Sequence, residues 1–132
     1  MDRTPIPALD AERLEELRAW AAAMRPMPKR RAVIPYRRRF APRELARLAY
    51  GLVPESMDDK WVGVLREGCV DFFRSWTGHH IYRLPLRAAN GGIETEAIIA
   101  NRGPRQYRDR DAEHDIETVE RLLNWMLTGD PG

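Results

Sequence analysis

Apolar positions along this chain change their period near residue 60, which divides it into a helical half and a half rich in strands. From Asp10, a residue type that caps helix starts, Leu14, Leu17, Trp20, Ala21 and Met24 recur at spacings of three and four, which predicts an amphipathic helix ended by Arg25-Pro26-Met27-Pro28. Residues 29–40 are basic and interrupted by proline, with Val33, Ile34 and Tyr36 too irregular for a strand, so they read as an arm or linker. A second helix is predicted from Pro42, whose fixed φ suits a first turn, with Leu45, Leu48, Ala49 and Leu52 on one side and Gly51 and Pro54 at its end. Beyond Lys60 come short apolar runs, 61–65, 69–76, 80–86 and 93–100, broken at Glu67-Gly68, Thr77-Gly78 and Asn90-Gly91-Gly92. Breaks this short suit antiparallel pairing rather than parallel crossovers, so four strands form a meander. Ile116, Val119, Leu122, Leu123, Met126 and Leu127 then trace a last amphipathic helix, with Asp111, Glu113 and Asp115 at its positive end and Gly129 closing it.

The expected class is α+β: a four-stranded antiparallel meander covered on one side by the C-terminal helix and one or two N-terminal helices, in two layers. Its expected organisation is an N-terminal helix and basic arm over 1–40 and a single α+β domain over 41–132. At 132 residues the chain is long enough to bury roughly two thirds of its unfolded surface in one core. No apolar run approaches the ~20 residues that cross a bilayer, and the first residues lack the apolar centre of a secretory signal, so a cytoplasmic protein without a membrane partner is expected. Cys69 is the sole cysteine and reads as a small strand residue; it excludes an internal disulfide and a CxxC pair.

Charge alters this picture through its distribution rather than its sum. The net charge is +2, yet residues 1–40 carry ten basic side chains against five acids, and residues 111–132 carry one against six. Arg25, Lys29, Arg30, Arg31, Arg37, Arg38 and Arg39 lie together without an acid among them, a pattern that attracts phosphate or an acidic protein surface. Arginine outnumbers lysine twenty to two throughout, a bias that GC-rich bacterial coding also produces without selection for phosphate contacts.

The densest chemistry surrounds the predicted Thr77-Gly78 turn. Strands on either side of that turn are expected to bring Arg74, Trp76, Thr77, His80, Tyr82 and Arg83 into one solvent-reachable patch, where guanidinium forks, aromatic faces and an imidazole suit an anion. The structural alternative packs Phe72, Trp76 and Tyr82 beneath the helices, with arginine stems covering them. His79 and His80 point to opposite faces of an extended strand, so no metal clip is expected. Asp58 and Asp59 with His79 or His80 are the weak candidates for acid–base catalysis, and a Ser75, His80 and Asp59 grouping lacks the elbow that would present its nucleophile. Asn90-Gly91-Gly92 matches no nucleotide-binding loop, whereas Gly103, Arg105, Gln106, Tyr107 and Arg108 could extend an anionic site.

Glu55-Ser56-Met57-Asp58-Asp59-Lys60-Trp61, Phe73-Arg74-Ser75-Trp76-Thr77-Gly78 and Ile81-Tyr82 resemble segments of a family of short bacterial proteins of uncharacterised function. In that family a Glu-Ser-Met-acid-Asp-Lys-Trp segment leads into strands bearing a Phe-x-Arg-Ser-Trp-Thr-Gly-like motif. The resemblance spans about 55–100 and the final helix; it departs at Phe72-Phe73 and does not reach residues 1–40. Its association with ADP-ribose or nucleotide-linked names implies an anionic nucleotide-like ligand.

Together these features predict a small non-enzymatic binding or accessory protein for a nucleotide-like molecule or an acidic protein partner, without a cofactor. One alternative is a hydrolase acting on a nucleotide or ADP-ribosyl group. The other is a nucleic-acid or protein-docking module using residues 25–39, including a homodimer in which the arm latches onto the neighbouring acidic helix.

Overall fold

A computed structural model of the chain describes residues 9–106 and 111–130. Its elements run α1 (Ala11–Ala22), β1 (Arg31–Phe40), α2 (Pro42–Tyr50), β2 (Trp61–Arg66), β3 (Cys69–Arg74), β4 (His80–Pro85), β5 (Arg87–Ala89), β6 (Gly92–Asn101) and α3 (Ala112–Thr128). The class is α+β, with three helices and one six-stranded antiparallel sheet in the order β1-β6-β4-β3-β2, β5 pairing with β6 beside that path. The four strands expected from the sequence are β2, β3, β4 and β6, and they do follow one another across the sheet.

Local chemistry explains the boundaries. The Asp10 carboxylate accepts from Arg13 N at 2.8 Å to start α1, and Asp111 accepts from Glu113 N at 2.9 Å to start α3. Gly129 ends α3 in the left-handed region, with its N–H donating to the Trp125 carbonyl. Glu67 and Gly68 both take positive φ, the mirror-image turn that matches the twist of a two-residue hairpin between β2 and β3.

Two corrections follow. Residues 31–40 are not an arm: they form β1, paired with β6 from Arg31↔Asn101 to Phe40↔Ile93. Its apolar alternation is obscured by Pro35 and by a register shift between Pro35 and Arg38, both tolerated because β1 is an edge strand. Ile34 and Phe40 join the same core as Leu48 and Leu122, so residues 31–40 belong to the sheet domain. Helices also cover both faces of the sheet rather than one. Phe72, Tyr82, Leu84 and Ile98 pack with α2 and α3 residues, whereas Val62, Val64 and Phe73 pack on the other face with Leu17, Trp20 and Met24. Gly63 permits the first packing, since a Cβ there would lie 2.8 Å from the Phe72 ring and 3.2 Å from the Met126 sulfur.

Because α1 covers the β2 side of its face while β1 forms the far edge, residues 23–30 must cross the end of the sheet. They are pinned there: Arg25 N donates to the Gly78 carbonyl at 2.7 Å and Arg102 N donates to the Arg30 carbonyl at 2.8 Å. Among the described residues no helix is long and apolar enough to cross a membrane.

Candidate functional site

The residues that come together do so because β4 breaks the alternation of a regular strand. Phe72 pairs with Tyr82, but Phe73 pairs with His80, so Ile81 is an extra residue in a bulge. Ile81 and Tyr82 both enter the core under α2 and α3, and His80 is turned onto the opposite face beside Asp71 and Arg83. A regular strand would have put His80 and Tyr82 on one face.

His80 Nε2 lies 2.9 Å from Asp71 Oδ1 and 3.1 Å from the Tyr82 carbonyl oxygen. Arg83 Nε lies 3.1 Å from the same Asp71 oxygen, close enough for an ion pair although its N–H is not aimed along that line. Asp71 is wholly buried, and its Oδ2 has no hydrogen-bond partner among the described residues. Burial works against the Arg83 charge, yet Asp71 and Glu67 outweigh it and raise the guanidinium above its ordinary value.

This group meets solvent at a cleft of about 360 Å³, lined by residues 24–27, Arg31, Arg66, Glu67, His80 and Arg83. The crossing segment forms one wall and the β2–β3 hairpin supplies Arg66 and Glu67. Arg31 is braced by donating to the Met27 and Pro28 carbonyls, each at 2.9 Å, which stiffens that wall. Arg25, Arg31, Arg66 and Arg83 thus line the cleft beside a single carboxylate residue, Glu67, leaving it cationic.

The six residues expected to share one patch do not. Tyr82 is sealed in the core, its hydroxyl donating to Asp115 Oδ1 at 2.8 Å. Arg74 lies over the Trp61 ring, 4.8 Å from its centroid, on the Tyr82 side of the sheet. Trp76 is 68% exposed at the tip of the turn, and Thr77 there accepts from His79 N. Only His80 and Arg83 of the six line the cleft. The turn itself is as expected, with Gly78 at positive φ tucked against the Ala23 carbonyl, where a Cβ would have no room.

The catalytic candidates divide similarly. The Asp59 carboxylate accepts from Glu55 N and so organises the 55–59 turn, in which Asp58 takes part through its backbone N–H, donating to the Ser56 hydroxyl. Ser75 donates to the Asp59 carbonyl rather than to an imidazole, and His80 takes Asp71 instead. His79 is held below its ordinary imidazole value by burial and by Arg25, with Nδ1 buried and unpartnered. Burial also pushes the Cys69 thiol up, away from reactivity. Among the described residues no cluster of three or more metal-binding side chains occurs. Of the basic stretch, Lys29 and Arg30 are exposed, Arg31 lines the cleft, Arg37 pairs with Glu96, Arg38 lies over Phe40, and Arg39 donates to the Ala89 and Asn90 carbonyls. Tyr107 and Arg108, proposed as extending an anionic site, lie outside the described residues.

Sequence reasoning missed Asp71 and Arg66. Asp71 carried a signal all the same: a single acid inside Val70-Asp71-Phe72-Phe73 must be paired if that strand is buried. A scan against protein-family models, a search of curated proteins and a search of solved structures each return no match to this chain. What the cleft does must therefore be argued from its own residues.

Proposed function

We propose that this protein binds a small polyanion of the phosphate type, such as the diphosphate portion of a nucleotide-like molecule, in the cleft of Arg25, Arg31, Arg66, His80 and Arg83. The observation that carries this reading is that four arginines and a nearly buried histidine line one hollow of about 360 Å³. That volume lies in the range of small-ligand sites, and planar guanidinium forks match phosphate oxygens two at a time. Glu67 sits 3.4 Å from both Arg66 and Arg83, a loose pairing that an incoming phosphate can displace.

The alternative of a basic arm docking nucleic acid or an acidic protein has less support. Arg37 and Arg39 are engaged within the sheet, and the stretch is a strand rather than a free segment.

Calorimetric titration with inorganic pyrophosphate and with ADP at low salt tests the proposal. Saturable binding is expected, weakened about tenfold or more by the Arg25→Ala, Arg66→Ala double variant, since each charge-assisted hydrogen bond contributes about 1.5–3 kcal/mol. Absence of binding, or affinity unchanged in the double variant, overturns it.

A further inference from the structure

We propose that the Asp71–His80 pair makes this cleft hydrolytic, with His80 as the base that activates water and a phosphoanhydride as the bond that breaks. The inference rests on the reading that the cleft binds phosphate-type anions.

The geometry fixes which nitrogen of His80 can work. Its Nε2 faces Asp71 Oδ1 at 2.9 Å and the Tyr82 carbonyl at 3.1 Å, and an ionised carboxylate and a carbonyl can only accept. Nε2 therefore keeps its proton in both charge states of the ring, and Nδ1 is the nitrogen that gains or loses one. The side chain is 5% exposed, and its residue lines the cleft. A general base requires a defined tautomer, a group that holds the ring, and access to the reacting atom; Asp71 supplies the first two, and His80 is among the residues lining the cleft. The charged groups around it are Asp71 on β3, Arg83 on β4, Arg66 and Glu67 at the β2–β3 hairpin, Arg25 on the crossing segment and Arg31 on β1. His79, adjacent in sequence, is the other titratable imidazole in this region.

The choice of bond follows from what accompanies the base. Among the described residues lining the cleft, the arginines cannot release a proton. An alkoxide leaving from a phosphomonoester needs an acid to protonate it, whereas phosphate leaves an anhydride as a stable anion. In the proposed step a water oxygen attacks phosphorus while its proton passes to His80 Nδ1. The new P–O bond forms as the bridging P–O bond breaks, and that bond's electron pair departs on the second phosphate, whose charge the arginines stabilise. The imidazolium then returns its proton to solvent, so pyrophosphate and one water give two phosphates without an oxidant or reductant.

The test follows pyrophosphate, ADP and AMP by phosphorus NMR with the full chain, with calorimetry in parallel. Cleavage of the two anhydrides but not of AMP is expected. His80→Gln should lower the rate by about 10²–10⁴-fold. Asp71 is a positioning residue: in Asp71→Asn the amide can donate to Nε2 and move the ring proton to Nδ1, so the rate falls about 10²-fold or more. Loss of that carboxylate leaves anion binding equal or tighter, an outcome a merely structural role would not give. Binding without turnover overturns hydrolysis and leaves the binding proposal standing, whereas absence of binding overturns both. Turnover unchanged in His80→Gln removes His80 as base, and equal cleavage of AMP refutes the choice of bond. If His80→Gln does not fold, Asp71→Asn decides, turnover unchanged there excluding the Asp71–His80 pair.

Discussion

Each face of the sheet holds a buried aspartate with an arginine and a third polar group, and the two trios differ in what covers them. Under α3, Asp115 accepts from the Tyr82 hydroxyl and forms an ion pair with Arg102, and apolar side chains close over it. On the opposite face Asp71 holds His80 and Arg83, but the cover is the proline-bearing segment 23–30, which leaves a cleft. Similar chemistry thus gives a structural lock in one place and a reachable site in the other. A helix excludes water by packing side chains densely along its length, whereas a connector pinned by hydrogen bonds at its ends spans the sheet without filling the space beneath.

Substitutions can break or sharpen that contrast. The largest effect is expected from Asp115→Ala, which removes the buried carboxylate that Arg102 and the Tyr82 hydroxyl share and should cost about 3–5 kcal/mol in urea unfolding. Asp71→Ala should cost less, about 2 kcal/mol, because Arg83 is 31% exposed and can turn to solvent. Equal losses at the two aspartates would mean that the cleft side is as sealed as the other. Tyr82→Phe removes one hydroxyl from the lock and should cost about 1–2 kcal/mol while leaving pyrophosphate affinity untouched; a change in affinity would couple the two faces.

The smallest effect concerns His79. Its folded-state value lies below the ordinary one because of burial and Arg25, so the unfolded chain takes up the proton first as pH falls. Stability should therefore decline as pH drops through about 6.5, the ordinary imidazole value, and level off once the folded form is also protonated. His79→Asn should flatten that part of the curve, and an unchanged slope would remove His79 as its cause.

Most of the framework is legible in the sequence because it depends on local signals. Asp10, Pro42, Asp111 and Gly129 mark helix ends, the period of three to four identifies α1, α2 and α3, and short apolar runs between turn residues identify β2, β3, β4 and β6. Strand β1 is hidden because Pro35 and the register shift disrupt its alternation, so its identity depends on pairing with β6, a partner more than fifty residues away. Strand β5 is too short to carry a period.

The candidate site was legible only as a neighbourhood. The turn and its density of charged and aromatic groups were visible, but alternation assigns His80 and Tyr82 to one face, and a one-residue bulge separates them. Arg25 and Arg31 carried a signal as part of a basic run, and they reach the cleft because residues 23–30 cross the sheet. Nothing local distinguishes them from Arg37 and Arg39, which β1 directs to ion pairs and carbonyls elsewhere.

The proposal that the Asp71–His80 face accepts an anion is tested most directly by nitrogen NMR of the histidine rings during titration with pyrophosphate. The account predicts that His80 Nδ1 shifts progressively and saturably while Nε2 remains protonated and the Tyr82 and Asp115 signals stay in place. A still His80 ring, with the shifts instead gathered at Trp76 or along β1, would contradict it.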